Sequence, residues 1–320
     1  MHRLITADWF RIGRHWLTLV LFVLLIVILI IQVNGKLNRL SELHAELERS
    51  TSSGEELTEE QVYLQGGQRL EAEWLSQKLQ FPTIIGYTAR LATDYGLFIL
   101  ILLTAVLGGE DFTRRTLSNI LTRGVGRGHY LISRAMALWI TAGVGILIIT
   151  LLAAIFGPLI HIEVTKEPIK LDGIGGSLLV AVRTWFICLP FIIATLFWAV
   201  LARHSGPAIG VGIGLHFFEV LFAFVLPLFA LIASIAGAPV IFQSVVNFVS
   251  VTLGYNADVF ITWGKPTMEG VFMASRAGLG GDSTLPTAPL RATVFLMGYM
   301  LLFFGWALWI LRRRDVTYGS

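Results

Sequence analysis

His216 and Glu219 stand three residues apart in the apolar stretch 208–236, which places both on one face of a helix. An ionisable pair in such a run has two readings. It can line a substrate path, accept a proton or bind a cation, or it can be a polar contact satisfied inside a helix bundle. Other chemical constellations are missing. The chain has no His-Glu-x-x-His pair for zinc, no Gly-x-Ser-x-Gly nucleophile elbow and a single cysteine, Cys188, inside another apolar run. Gly35-Lys36-Leu37 and Gly264-Lys265-Pro266 lack both the hydroxyl after Lys and the upstream Gly spacing with which a phosphate loop wraps its ligand in backbone N–H groups. Neither catalysis nor cofactor binding is expected of this chain.

The elements that must carry these residues are membrane spans. Of 320 residues, 55% are hydrophobic and 14% charged, and the mean hydropathy is +0.73. A soluble domain of that composition would expose too much apolar surface. Residues 16–33 form one apolar stretch, long enough as a helix to cross a hydrocarbon core of about 30 Å. Further runs at 95–107, 136–160, 177–201, 208–236 and 293–311 bring the expectation to six spans in an all-α membrane protein. His2, Arg3, Arg11 and Arg14 precede the first span, but no small-x-small cleavage pattern follows it, so it is read as uncleaved.

Charge orients the spans. With the N-terminus inside, the inner pieces hold Arg3, Arg11, Arg14, Arg114, Arg115, Arg123, Arg127, Arg134, Arg203 and Arg312 to Arg314, against only Asp8, Glu110, Asp111 and Asp315. The positive-inside rule then fits every loop and puts both termini in the cytoplasm. The stretch 34–94 is acidic and repeats Leu37, Leu40, Leu43 and Leu47 at helical spacing. After a break at Ser50 to Gly54 the pattern resumes over 62–79, which predicts a helical hairpin outside the membrane. Residues 237–290 contain apolar pieces interrupted by Gln243, Ser244 and Asn247, and are expected to form a re-entrant outer region.

Between the second and third spans lies Gly108-Gly109-Glu110-Asp111-Phe112-Thr113-Arg114-Arg115-Thr116-Leu117-Ser118-Asn119-Ile120-Leu121-Thr122-Arg123-Gly124-Val125-Gly126-Arg127. Gly108 and Gly109 permit a sharp turn, and Asp111 with Thr113 can place acceptors at a helix N-terminus. Phe112, Thr116, Leu117, Ile120 and Leu121 fall on adjoining faces of a short amphipathic helix. The arginines remain for lipid headgroups or an acidic groove, and Gly124 to Gly126 ends the helix.

The order of Asp111, Phe112, Thr116, Leu117, Leu121, Arg123, Gly124 and Arg127 resembles the cytoplasmic coupling segment of ABC-2 type transporter permeases. Arg115 stands at that family's usual Gly and Asp111 at its usual Glu. The resemblance extends architecturally to an amphipathic interface helix at 1–15, an outer region after span five and a basic Arg312-Arg313-Arg314-Asp315 tail. It implies a single ABC-2 type transmembrane domain over 1–320, with the coupling segment at 108–135. The implied function is that of the permease subunit of an exporter in the cell membrane. Two such subunits, identical or paralogous, would sit on two separate ATPase chains that bind the ATP and magnesium. Leu64-Gln65-Gly66-Gly67-Gln68 is close to the nucleotide-sandwiching signature of such ATPases, but it falls in the acidic outer stretch and is read as coincidence. Two other classes stay open: an ion-gradient-driven transporter or channel using His216 and Glu219, and a membrane anchor or sensor recruiting a partner through its outer hairpin.

Gly206, Gly210 and Gly214 repeat every fourth residue at the start of span five, with Gly212 between them and Pro207 placed to begin the helix, a pattern that favours close helix packing. Pro190 and Pro227 are candidate hinges or static kinks.

Overall fold

A computed structural model describes residues 2–52, 59–113, 116–122, 124–218, 221, 251–262 and 289–313. The described residues are helical and contain no strand. The elements are α1 (His2–Arg14), α2 (Trp16–Ser52), α3 (Glu59–Leu79), α4 (Thr83–Thr113), α5 (Thr116–Thr122), α6 (Arg127–Thr165), α7 (Ile174–Ala202), α8 (Ser205–Phe218), α9 (Leu253–Thr262) and α10 (Pro289–Arg313).

Five of these helices, α2, α4, α6, α7 and α10, are long and apolar enough to cross a membrane. They carry five of the six expected spans. The remaining expected span, 208–236, is described only as far as the short apolar helix α8 and Leu221, and the rest of it, including Glu219 and Pro227, lies outside the described residues. The expected outer region at 237–290 also falls mostly outside them. Its described part is α9, which packs against α10 and buries Asn256, whose side-chain amide donates to the Thr252 carbonyl at 2.7 Å.

The helices are longer than a bilayer core requires. At about 1.5 Å per residue, the 37 residues of α2 reach roughly 55 Å, well beyond a 30 Å core. Along the first half of α2, Leu21, Leu25 and Leu29 are buried at four-residue intervals, while Leu19, Val23, Val27, Ile30 and Ile31 remain exposed. An apolar helix with only one stripe covered is the pattern of a lipid-facing span.

The chain divides into two compact units, and α2, α4, α6 and α7 each contribute residues to both. The unit formed by residues 20–96 and 144–184 has a core of Leu40, Leu43, Ala72, Leu75, Leu79, Ile84 and Ile85. Here α2 and α3 lie against each other. The Arg39 guanidinium donates from Nε and Nη2 to the two oxygens of Glu71 at 3.2 and 3.3 Å, and Gln68 donates to Glu46 at 2.9 Å.

In the unit formed by residues 1–19, 97–143 and 185–320, Leu117, Tyr130, Leu131, Phe197, Val200, Ala307, Ile310 and Leu311 make a core. Trp139 and Trp185 stack with ring centres 4.3 Å apart, and each indole N–H donates to the other residue's carbonyl. Gly143 makes that stack possible, since a Cβ there would meet the Trp185 indole nitrogen at 2.5 Å. Pro158 and Pro190 lie inside α6 and α7, which continue through them.

One sequence expectation about glycine is corrected, and another is narrowed to a single residue. Gly108 and Gly109 do not turn the chain, because α4 runs through both to Thr113. They permit close approach instead: a Cβ on Gly109 would lie 2.5 Å from the backbone nitrogen of Ser205, and one on Gly108 would lie 2.9 Å from Leu196. On α8 the crowded position is not in the every-fourth-residue row. A Cβ at Gly210 or Gly214 would meet nothing within 4 Å, whereas one at Gly212 would press on Ile101 at 2.7 Å.

Candidate functional site

Asp111 lies in the last turn of α4 and is 1% exposed. A carboxylate in that position must have its acceptor sites filled, because removing charge from water without compensation is costly. Each oxygen takes two donors. Oδ1 accepts from Arg11 at 2.8 Å and from the Thr116 hydroxyl at 3.1 Å, while Oδ2 accepts from the Tyr130 hydroxyl and from Arg134 Nη2, both at 2.8 Å. Four donors saturate the carboxylate's lone-pair sites.

Arg134 is fully buried and is the hub on the other side. Besides Asp111, its Nη2 donates to the Leu107 carbonyl at 2.7 Å and its Nη1 to Asp8 at 3.2 Å. The other oxygen of Asp8 accepts from the Ser133 hydroxyl at 2.8 Å. Arg11 also approaches Glu110 at 3.6 Å. Burial alone would lower the proton affinity of the Arg11 guanidinium, but the carboxylates of Asp111, Glu110 and Asp8 outweigh it and hold the group above its ordinary value.

These bonds join four helices, since Thr116 opens α5. Asp8 and Arg11 sit at i, i+3 on α1, Tyr130 and Arg134 at i, i+4 on α6, and Asp111 closes α4. Buried Ile12 anchors α1 on the same side, while Trp9 and Phe10 stay exposed. The arrangement suits a surface helix with its aromatic residues outward. Chemically the cluster is a fixed crosslink: every carboxylate in it faces a guanidinium or a hydroxyl, and it presents no group poised for reaction.

The segment after α4 is held just as firmly. Leu117 is 1% exposed and belongs to the core with residues of α6, α7 and α10, while Phe112, Ile120 and Leu121 pack against the same core. The expectation that Asp111 and Thr113 cap this helix is corrected, since Asp111 bonds as above and the Thr113 hydroxyl donates back to the Gly109 carbonyl within α4. At Leu117 the apolar face of α5 is covered by the chain's own core, and so is not free there for the membrane surface or a partner's groove.

Gly124 does end the helix. Its φ of 83° is in the left-handed region, and its N–H returns to the Leu121 carbonyl at 3.1 Å. Arg127, expected to face headgroups or an acidic groove, instead donates to the carbonyls of Leu311 and Arg312 at the end of α10. That is where a cation best complements the unpaired carbonyls of a helix C-terminus. Arg114, Arg115 and Arg123 lie outside the described residues. Among the described residues of the segment, Thr113, Thr122, Gly124, Gly126 and His129 are exposed.

The other candidate, His216, is buried at 8% exposure, with its ring edge-on to Phe98 at 4.4 Å and Phe191 at 6.0 Å between centres. Glu219 lies outside the described residues, so their expected pairing is not part of this geometry. Sequence reading counted Asp8 and Arg134 only as inner-side charges and gave no role to Tyr130 or Ser133. The available signal was that Asp8 and Arg11, and Tyr130 and Arg134, each share a helix face next to an apolar run. Compared with protein-family models and with curated proteins, the chain gives no match to either.

Proposed function

We propose that this chain is the membrane-spanning permease subunit of an ATP-driven exporter of the ABC-2 type. In this reading it works in the cell membrane with both termini and the segment 108–135 in the cytoplasm, and with 34–94 outside. A second permease copy or paralogue completes the translocation path, and a separate ATPase chain binds ATP and magnesium. The observation that supports it most is the Asp111–Arg134 crosslink. It welds α1, the end of α4 and the start of α6 into one body around the short helix α5. A push on the exposed Thr122, Gly124 and Gly126 would then move several helices together, as an exporter coupled to an outside motor requires.

The burial of Leu117 changes where the motor would dock. The docking surface is the exposed rim around Gly126 and His129, not the apolar face of α5. The test is co-purification of the chain with its ATPase and measurement of ATP turnover. Gly126→Glu with His129→Glu should release the ATPase or abolish its stimulation, while the permease keeps its thermal stability. Unchanged retention and stimulation in the double variant would sink the docking assignment, and absence of any co-purifying ATPase would sink the reading as a whole. A second reading, an ion-gradient-driven transporter working through His216, is favoured by one observation: neither ring nitrogen of that buried residue has a hydrogen-bond partner among the described residues. Transport that persists when ATP is depleted and the ion gradient kept would select it.

A further inference from the structure

A cavity of about 320 Å³ opens beside His216, bounded by residues of α4, α7, α8 and α10 and by residues 251–253. That volume is in the range of small-molecule sites, roughly 300 to 1,000 Å³. Its walls are mainly aromatic and aliphatic, with Phe191, Trp198, Phe218, Tyr299 and Phe303 supplying most of the flat surface. Gly212 keeps it open on one side, where any larger residue would press on Ile101.

Two polar groups on this wall are unsatisfied. Both nitrogens of His216 and the indole Nε1 of Trp198 are buried without a hydrogen-bond partner among the described residues. The other polar wall groups are already engaged: the Thr195 hydroxyl donates to the Phe191 carbonyl, the Tyr299 hydroxyl donates to the Val251 carbonyl, and the Thr252 hydroxyl accepts from the Tyr255 N–H. An edge-on ring such as Phe98 offers at most a weak N–H to π contact for one imidazole nitrogen. Buried polar groups in native proteins find partners, so the two left over point to a ligand that supplies them.

The geometry points to a binding site for a small, neutral, lipophilic alcohol or phenol. The class follows from the inventory of groups. No described wall residue is an Asp, Glu, Lys or Arg, so the described wall offers a charged ligand no counter-ion. Neutral imidazole offers one donor and one acceptor, and indole offers one donor. A hydroxyl both accepts and donates and so serves either imidazole tautomer, whereas a carbonyl would leave the imidazole acceptor unpaired. The apolar remainder of the ligand would lie against the aromatic walls.

The inference goes beyond the transport reading and is tested without ATP, partner or transport. Purified full-length chain in detergent is titrated with 1-naphthol and, separately, with naphthalene. Saturable binding is separated from micelle partitioning by competition with unlabelled compound. The expected result is saturable binding of 1-naphthol and about tenfold weaker binding of naphthalene, the difference one well-placed polar contact makes. His216→Phe and Trp198→Phe each keep a ring in place while deleting its nitrogens. Each should remove the preference and leave naphthalene binding as it was, with an unchanged elution profile showing that the variant is folded. Equal affinity for the two probes, the absence of saturable binding because water alone fills the cavity, or a preference that survives in both variants would overturn the proposal.

Discussion

Removing the Asp111 carboxylate should be the most damaging single change at the end of α4. The residue is 1% exposed, and its four acceptor bonds hold Arg11, Thr116, Tyr130 and Arg134. Asp111→Ala leaves the fully buried Arg134 with only Asp8 at 3.2 Å and a backbone carbonyl. Breaking one side of a buried ion pair costs about 3–5 kcal/mol, because the surviving charge stays out of water. Asp111→Asn is not conservative here, since whichever position its NH₂ takes, it faces two donors. It should lose about 1.5–3 kcal/mol for each bond to a charged group that it fails to replace. Arg11→Ala should cost far less, about 0–1 kcal/mol, because the Arg11 side chain is 35% exposed and water replaces much of what is lost. The double change Asp111→Leu with Arg134→Met should cost less than the sum of the two single changes, with a coupling of roughly 0.5–3 kcal/mol, since neither member of the most deeply buried pair is left facing a missing partner, while Asp8 keeps Ser133 and Arg11 keeps Glu110. Reversible unfolding of the purified chain in mixed micelles, followed by tryptophan fluorescence, reads all four. If Arg11→Ala proves more costly than Asp111→Ala, or if the losses at 111 and 134 simply add, the cluster is not a buried crosslink and the argument for force transmission through it fails.

Leu117→Ala should cost about 2–5 kcal/mol of the permease's own stability, and Leu121→Ala less, as its side chain is only partly buried; equal small effects in the same unfolding assay would return Leu117 to a docking role. Gly109→Ala should destabilise by about 1–3 kcal/mol through overpacking against Ser205, whereas Gly210→Ala, into open space, should be neutral or slightly stabilising; similar melting temperatures for the two would contradict the packing account. Arg127→Gln should fray the last turn of α10, seen as faster amide hydrogen exchange near Leu311 and Arg312, and unchanged exchange there would remove its capping role. For topology, a cysteine placed at Thr122 should resist an impermeant maleimide in intact cells while one at Ser52 reacts, and the native Cys188 is buried and should stay silent. The reverse labelling pattern would invert the proposed orientation.

Much of this protein follows from local sequence. Long runs such as 16–33 and 136–160 can be little other than apolar helices, because length and hydropathy suffice to specify a span. The Leu37, Leu40, Leu43 and Leu47 spacing marked the face of α2 that α3 covers, and Gly124 marked a helix end because only glycine takes its left-handed conformation without strain. Asp111, Leu117 and Arg127 stood out as well, but Asp111 was read as a helix cap and all three as parts of a coupling segment. Periodicity shows which residues share a face and says nothing about which neighbour covers it. A stripe such as Leu117 with Leu121 reads the same whether it fills its own core or another protein's groove. Only the packing of α1, α4, α6 and α10 decided that Asp111 faces Arg134 and Arg11, that Arg127 closes the end of α10, and that Gly108 and Gly109 serve close approach within a continuous helix. Those contacts join residues as far apart as Arg127 and Arg312, and the physical reason for each lies in what the other helix brings to meet it.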